Sequence, residues 1–179
     1  MQKLLICCLL ALSPFTGIKG STLLQLSLND MIQQSTLIVR GKTQPTYTAF
    51  RGPVVYTHYQ LQVSEILKGT AAQQMDIAVP GGVANGLRQS IAGAPTLAGG
   101  QEYVLFLWTG KSGLTQVIGL SQGLFSVTTN SSGQAMVVRG AATELMLNSA
   151  GQPVTDSNLQ MPLTDLRTRI QNVLSGAGQ

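Results

Sequence analysis

The sequence predicts a mainly β protein, an antiparallel barrel with a short helix before it and a second helix after it. Three observations predict this fold class. Many short segments are rich in β-branched and apolar residues, Gly-rich turns separate most of them, and strand-like segments do not alternate with helical ones. Such spacing favours an antiparallel barrel or sandwich over a fold of β/α units. Of the 179 residues, 44% are hydrophobic and only 10% charged, against about 25% charged in an ordinary soluble domain. This composition excludes a disordered tail and a charge-driven nucleic-acid binder.

The first twenty residues predict a secretory signal peptide. Lys3 gives a short basic segment, and residues 4–12 form an apolar run that is too short to span a membrane. Small residues follow, and cleavage is predicted near Gly20 and Ser21. We therefore expect an exported protein, secreted or periplasmic, without a membrane span.

Export changes the composition of the mature chain. Cys7 and Cys8 lie in the predicted signal peptide, so cleavage leaves no cysteine for a disulfide framework or a thiolate metal site. Loss of Lys3 and Lys19 leaves 9 basic and 7 acidic residues, a net charge of about +2. This small charge argues against nucleic-acid binding, which needs a basic groove.

A short helix is predicted before the first strand. Ser27 is a good N-cap for residues 28–34, Asp30 lies in the first turn near the positive helix end, and Met31 lies on the apolar face. Residues 36–42 follow directly and are predicted to be a strand because they are rich in β-branched and apolar side chains.

Residues 54–67 form the longest predicted strand. Its odd positions are mainly apolar and its even positions polar, so one face packs and the other is wet. Residues 103–108 are apolar on both faces, which predicts the central core strand. The predicted strand that contains them is residues 102–108, and the other predicted strands are residues 75–79, 87–91, 114–118, 124–128 and 135–139.

The C-terminal region is predicted to be a helix with one apolar face. The residues of that face are Leu163, Leu166, Ile170, Val173 and Leu174. The predicted organisation is a signal peptide at residues 1–20, a β-barrel domain at 21–147, a polar linker at 148–160 and a C-terminal helix at 161–175.

Three segments carry a resemblance to a known family. They are STLIVRGK at residues 35–42, VYTHYQLQVSEILKG at residues 55–69 and GQEYVLFL at residues 100–107. Their order after a short helix resembles netrin-like domains, including the tissue inhibitors of metalloproteinases. Those domains have an "ADVVIRAKV"-like strand, a "Y-x-V-x-x-V-x-KG"-like strand and a central "G-x-x-Y-L-L" strand. The segments VPGG at residues 79–82 and GLSQG at residues 119–123 are also similar to a group of uncharacterised exported bacterial proteins.

The resemblance implies an OB-type barrel and, within binding functions, the binding of an exported protease. The inhibitors act through a Cys at the mature N-terminus, whose amine and carbonyl chelate the protease zinc. Here the predicted mature N-terminus is Ser21, and the mature chain has no cysteine. The resemblance therefore carries over the barrel and not the inhibitory mechanism.

The predicted binding surface lies on the wet face of the longest strand. Barrels of the OB type often bind nucleic acid or sugar on one face. A polar and neutral strand face suits a sugar or a peptide better than nucleic acid, and the glycine-rich loop at residues 81–93 adds further candidates. The candidate contacts are Tyr56, His58, Gln60, Gln62, Gly82 and Arg88.

No catalytic, metal-binding or cofactor-binding residue is predicted. His58 is the only histidine and the natural base near neutral pH. Ser64 and Asp76 are its candidate partners, but the spacing places no nucleophile beside it. One histidine, no mature cysteine and singly scattered acidic residues do not make a zinc site. Residues 81–87 are glycine-rich but lack the Lys-Ser/Thr of a phosphate loop.

We therefore expect an exported, non-catalytic binding module for a protein, such as an exported protease, or for a glycan. Two alternatives stay open. One is a hydrolase with a dispersed site, and the other is a structural component of the envelope. The sequence gives no oligomeric state.

Overall fold

The computed structural model describes residues 22–177, which are mainly β, with 49% strand and 12% helix. In chain order the elements are β1 (Thr22–Leu24), α1 (Leu28–Gln34), β2 (Leu37–Arg51), β3 (Val54–Lys68), β4 (Gln74–Pro80), β5 (Gly82–Ala84), β6 (Leu87–Gln89), β7 (Glu102–Thr109), β8 (Thr115–Val117), β9 (Leu124–Thr129), β10 (Ala135–Arg139), β11 (Leu145–Leu147), β12 (Pro153–Val154), β13 (Leu159–Pro162) and α2 (Leu163–Leu174). Apart from the parallel pair β1–β11, the pairings of the described strands are antiparallel. The predicted mainly β fold with two helices and antiparallel sheets is confirmed.

The main sheet has eight strands in the order β13-β10-β9-β7-β2-β3-β4, with β8 paired to β7. The strands β8 and β4 lie beside each other. Within residues 22–177, however, no backbone pairing joins β4 to β8 or to β13. The described sheet is therefore curled but not closed by hydrogen bonds.

The helix α1 begins as its sequence predicts. Ser27 Oγ accepts a hydrogen bond from the Asp30 amide at 3.1 Å, and Asp30 Oδ2 accepts one from the Ser27 amide at 3.0 Å. This reciprocal capping box satisfies two amides that the helix leaves free. At the other end, the Lys68 ammonium donates to the carbonyls of Ile32 and Gln33 at 2.6 and 2.9 Å, which ties the end of β3 to α1.

The strand β2 continues nine residues beyond its predicted end at Lys42. Pro45 favours the end of a strand because proline has no backbone N–H to donate to a neighbouring strand. The structure tolerates it because β7 pairs with β2 only as far as Lys42, so Pro45 has β3 as its one neighbouring strand. The extended β2 and β3 form a long hairpin, and this hairpin carries most of the candidate site.

The strand β7 separates two apolar cores, as its two apolar faces predict. On one face, Val104 and Phe106 pack with α1 and α2. On the other face, Tyr103 and Leu105 pack against the inner side of β3 and β4. All four side chains are buried, so β7 is the central strand of the fold.

The segment 148–160, predicted as a polar linker, contains β12 and the first two residues of β13, which pairs with β10 in the main sheet. A buried ion pair anchors this segment, because Arg139 Nη2 donates to Asp156 Oδ1 at 2.8 Å. The C-terminal helix α2 begins at Leu163 and not at residue 161. Of its predicted apolar face, Leu174 is 47% exposed.

Among residues 22–177, no helix is long and apolar enough to cross a membrane. The predicted signal peptide, with Cys7 and Cys8, and the cleavage position before Ser21 lie outside the described residues.

Candidate functional site

The candidate site is the outer face of the β2, β3 and β4 strands, which we name the open face. The opposite, inner face of these strands packs into the apolar core around Leu61 and Ile77. Because side chains alternate along a strand, the residues between these core positions point outward. The open face consists of Lys42, Gln44, Thr46, Tyr47, Tyr56, His58, Gln60, Gln62, Gln74 and Asp76.

Strand register aligns these residues in rows across the sheet. Gln60 of β3 lies opposite Gln44 of β2 and opposite Asp76 of β4. The next row joins Lys42, Gln62 and Gln74. Side chains in such rows are direct neighbours, so residues distant in sequence share one surface.

The glutamines of β3 and β4 form a short hydrogen-bonded ladder. Gln60 Nε2 donates to Gln74 Oε1 at 3.3 Å, and Gln74 Nε2 donates to Gln62 Oε1 at 3.0 Å. All three residues are exposed. Each amide keeps further donor or acceptor capacity, so the ladder presents both kinds of group to solvent.

A bulge in β2 brings Tyr47 to the open face. Pro45 lies opposite Tyr59, an inward residue, so an unbroken register would place Thr46 opposite His58 and Tyr47 on the inner face. The register shifts at this point, and Tyr47 lies opposite His58 instead. The Thr46 hydroxyl donates to the His58 carbonyl at 3.0 Å, which fixes the bulge.

His58 is buried beneath Tyr47 and bonded to Asp76. The two rings are stacked, with centroids 4.3 Å apart and an interplanar angle of 7°. His58 Nδ1 and Asp76 Oδ2 are 2.7 Å apart. Since an ionised carboxylate only accepts, Nδ1 carries the hydrogen of this bond, and in the neutral ring Nε2 is an acceptor. Within residues 22–177, Nε2 has no hydrogen-bond partner. It is not fully buried, so it is in contact with solvent.

Two shallow depressions follow this surface and share Gln60. One, of about 320 Å³, is lined by Thr46, Tyr47, Gln60, Met75 and Asp76. The other, of about 270 Å³, is lined by Lys42, Gln44, Gln60, Gln62 and Gln74. The side chains that line the two depressions contain one positive and one negative group, Lys42 and Asp76.

Neither protein-family models, nor curated proteins, nor solved structures give a match to this chain.

The predicted contacts fall into two groups. Tyr56, His58, Gln60 and Gln62 lie along the open face, although His58 is covered and only 8% exposed. Gly82 and Arg88 lie in the separate β5–β6 hairpin. A Cβ at Gly82 would lie 2.5 Å from Thr57 Oγ1.

The closeness of Gly82 to the Thr57 side chain shows which side of the sheet the β5–β6 hairpin covers. Thr57 lies opposite Val79, an inward core residue, so its side chain is on the face away from His58. The structure therefore does not bring Gly82 and Arg88 together with the other four predicted contacts.

Of the two candidate partners of His58, Asp76 bonds to it and Ser64 does not. The Ser64 hydroxyl donates to the Arg40 carbonyl at 3.2 Å. Sequence reasoning missed Tyr47 and Gln44, because the strand was predicted to end at Lys42. The sequence does contain a sign that the strand continues. Lys42 and Gln44 are polar residues two positions apart, so the alternation of polar side chains extends beyond the predicted end.

A charged border separates the open face from the helices. Glu65 accepts two hydrogen bonds from Arg167, both at 2.7 Å, and Arg40 Nη2 donates to Glu102 at 2.9 Å. The Arg167 hydrogen bonds hold the pKa of the Glu65 carboxyl below its usual value, with Arg40 adding to the effect and burial opposing it. The charges of this border are thus paired with one another.

Other features of residues 22–177 do not extend the site. A depression of about 260 Å³ lies at the seam between β4 and β8 and has mainly apolar walls, including Trp108 and Leu120. None of the predicted contacts lines it. The described residues hold no group of three or more His, Cys, Asp or Glu placed to bind a metal ion.

Proposed function

We propose that this protein is an exported, non-catalytic binding module that holds its ligand on the open face. One observation carries the proposal. Three strands present a continuous row of exposed amides beside an aromatic ring and a carboxylate, with two depressions along it. Such groups have many donors and acceptors and little net charge, so they suit a neutral, hydrogen-bonding ligand.

The use of His58 supports binding over catalysis. Its ring lies under Tyr47 and its Nδ1 bonds to Asp76, so it fixes the position of two surface groups. A buried ring in such a role rigidifies a binding surface, and rigidity lowers the entropy cost of binding.

We further propose an OB-type, netrin-like barrel as the finer description of the fold. The five neighbouring strands β8-β7-β2-β3-β4 form a curled sheet whose two end strands, β8 and β4, lie side by side. This arrangement supports a small barrel with one open seam. The long β2–β3 hairpin, with Lys68 and Gly69 at its end, agrees with the strands that carry the resemblance. Protease inhibition through an N-terminal Cys is not part of the proposal.

The test is a binding screen with a defined loss-of-binding variant. The purified protein is tested on an oligosaccharide array and against a displayed peptide library, and any ligand is titrated by calorimetry. Because Gln60 and Gln62 are exposed, we expect the variant Gln60→Ala/Gln62→Ala to fold normally and to bind at least about tenfold more weakly.

Gln160→Ala is the matched control, since Gln160 is exposed on β13 at the far side of the sheet. Equal affinity of the double variant and the control would show that the ligand binds elsewhere. A screen in which neither sugar nor peptide binds would count against the proposal as a whole.

A second candidate function, a hydrolase, is favoured by the His58–Asp76 pair, because a carboxylate-oriented imidazole with an open Nε2 can act as a general base on water. The test is turnover on ester, glycan and peptide substrates by the wild type, His58→Ala and Asp76→Ala. Activity lost in both variants would support the hydrolase, and no activity in the wild type would retire it for those substrates.

A further inference from the structure

The two depressions of the open face are adjacent and in line. They share Gln60, and they extend along β3 from the position of His58 to that of Gln62. Four residues of a strand cover about 13 Å. A ligand that fills both depressions is therefore elongated, and longer than a single sugar ring.

The backbone of this surface offers little to a ligand. Over residues 56–62, β3 is paired with β2 on one side and with β4 on the other, so its amides and carbonyls are used within the sheet. Peptides that bind sheets by strand addition need a free strand edge. Recognition over β3 must therefore come from side chains, which favours a ligand rich in hydroxyl groups over a peptide laid along β3. A peptide strand could add only at the unpaired edges of the described sheet, that of β4 and that of β2 beyond Lys42.

The charges select a neutral ligand. Lys42 lies in one depression and Asp76 in the other, and their formal charges cancel. The remaining polar side chains that line the depressions are amides and the two hydroxyls of Thr46 and Tyr47. A polyanion would meet a single positive group here, and a polycation a single negative one.

Tyr47 and Asp76 define one end of the surface. One face of the Tyr47 ring lies on His58, yet the residue is 55% exposed, so its other face is open to a flat apolar partner. Asp76 is held through Oδ2 by His58, and no described residue bonds to its Oδ1. An aromatic platform beside a fixed carboxylate matches a sugar ring, which has an apolar C–H face and hydroxyl groups at its edge.

We infer that the open face binds a neutral, linear oligosaccharide across two consecutive subsites. One ring stacks on Tyr47 and donates hydroxyl hydrogens to Asp76 Oδ1. The next part of the chain lies along the amides of Gln44, Gln62 and Gln74, and Gln60 lies between the two subsites. This inference rests on the proposed function and names the ligand class for the same surface.

The experiment titrates the purified protein with two neutral series, N-acetylglucosamine to chitohexaose and glucose to cellohexaose, and with a hexamer of galacturonic acid as the charged comparison. Affinity is measured by calorimetry, and the site is mapped by amide chemical shifts. Two subsites predict that affinity in at least one neutral series rises at least about tenfold from the mono- to the trisaccharide and then levels off.

The variants separate stacking from folding. Tyr47→Ala is expected to weaken binding at least about tenfold, while Tyr47→Phe keeps the ring and stays within about twofold of the wild type. Gln160→Ala is expected to bind like the wild type. Because Tyr47 is exposed, Tyr47→Ala is expected to keep its amide spectrum outside the open face.

Three outcomes would overturn the inference. These are no binding of either neutral series, tighter binding of the galacturonic acid hexamer, or binding that is unchanged in Tyr47→Ala. If a peptide from the screen binds the open face and neutral sugars do not, the ligand class is wrong while the proposed binding module stands. If nothing binds the open face, both fail together.

Discussion

The outer face of β2 and β3 has two halves, one covered by the helices α1 and α2 and the other exposed to solvent. In one half, Ile38 and Leu67 lie under α1 and α2 in an apolar core. In the other half, which is the open face, no described helix covers the strands, and amides take the place of apolar groups. Between them, Arg40 and Glu65 belong to the charged border.

This difference teaches how one pair of strands can serve both stability and binding. The covered half removes apolar surface from water, which is the main source of stability. The open half has its inner side anchored in the second core around Leu61, so its outer side is free to carry groups that add little to folding. Substitutions in the two halves should therefore separate stability from ligand binding.

The largest effect is expected from Leu166→Ala in the covered half. Leu166 is fully buried between α2 and the sheet, and its truncation leaves a cavity there. We expect the free energy of unfolding to fall by about 3 kcal/mol, measured by urea denaturation. Leu174→Ala in the same helix is the control, since Leu174 is exposed and should change stability by less than about 0.5 kcal/mol. Similar losses in both variants would contradict this account of the covered half.

A smaller effect is expected from Glu65→Gln in the charged border. The side chains of Glu65 and Arg167 are 28% and 34% exposed, so solvent screens the pair, and we expect a loss of about 1 kcal/mol at pH 7. Arg167 lowers the folded-state pKa of Glu65. The contribution of the Glu65–Arg167 pair to the free energy of unfolding is therefore present above the unfolded-state pKa of about 4.3. It is lost as the pH falls through the folded-state pKa of Glu65.

The pH profile distinguishes this ion pair from a general effect of substitution. The stability difference between wild type and Glu65→Gln should shrink as the pH falls below about 4, followed by thermal unfolding from pH 7 to pH 2. Glu144→Gln is the control, because no ion pair of the described residues involves Glu144. A difference that stays constant with pH would show that the charge of Glu65 is not what matters.

The smallest effect on stability is expected from Asp76→Ala on the open face. The Asp76 side chain is 52% exposed, so folding should change little, but the Nδ1–H of His58 loses its acceptor. Since the chain has one histidine, its ring nitrogens give a single set of signals in long-range ¹H–¹⁵N spectra. We expect the population with the proton on Nδ1 to fall in Asp76→Ala and to stay unchanged in Gln74→Ala. No change in either variant would mean that Asp76 does not set the tautomer.

Much of the fold was predictable because its signals are local. The capping box of Ser27 and Asp30, the period of two along β3 and the doubly apolar β7 depend on neighbours a few residues apart. The missed elements have weak local signals. The strand β13 has only four residues and follows a polar segment, which Asp156 anchors to β10 through its buried ion pair with Arg139.

The candidate site was predictable only along one strand. The polar side of β3 gave Tyr56, His58, Gln60 and Gln62, which do share a face. Tyr47 was missed for two reasons: Pro45 concealed the continuation of β2, and a bulge at Thr46 reverses the face on which Tyr47 lies. Gly82 and Arg88 were grouped with the others because of a glycine-rich sequence, although their hairpin covers the opposite side of the sheet.

By itself, the sequence determined the two helices, the long strand β3, the core strand β7 and which side of β3 faces solvent. These depend on local patterns, since side-chain direction alternates along a strand whatever its partners are. The tertiary structure alone decided that Tyr47, His58 and Asp76, from three strands, form one unit. Strand register and the bulge set this grouping, and both depend on a hydrogen-bond ladder between segments that are distant in the chain. The solvent-facing side of one strand therefore follows from local sequence, whereas the grouping of residues from three strands into a binding surface follows from the pairing of those strands in the sheet.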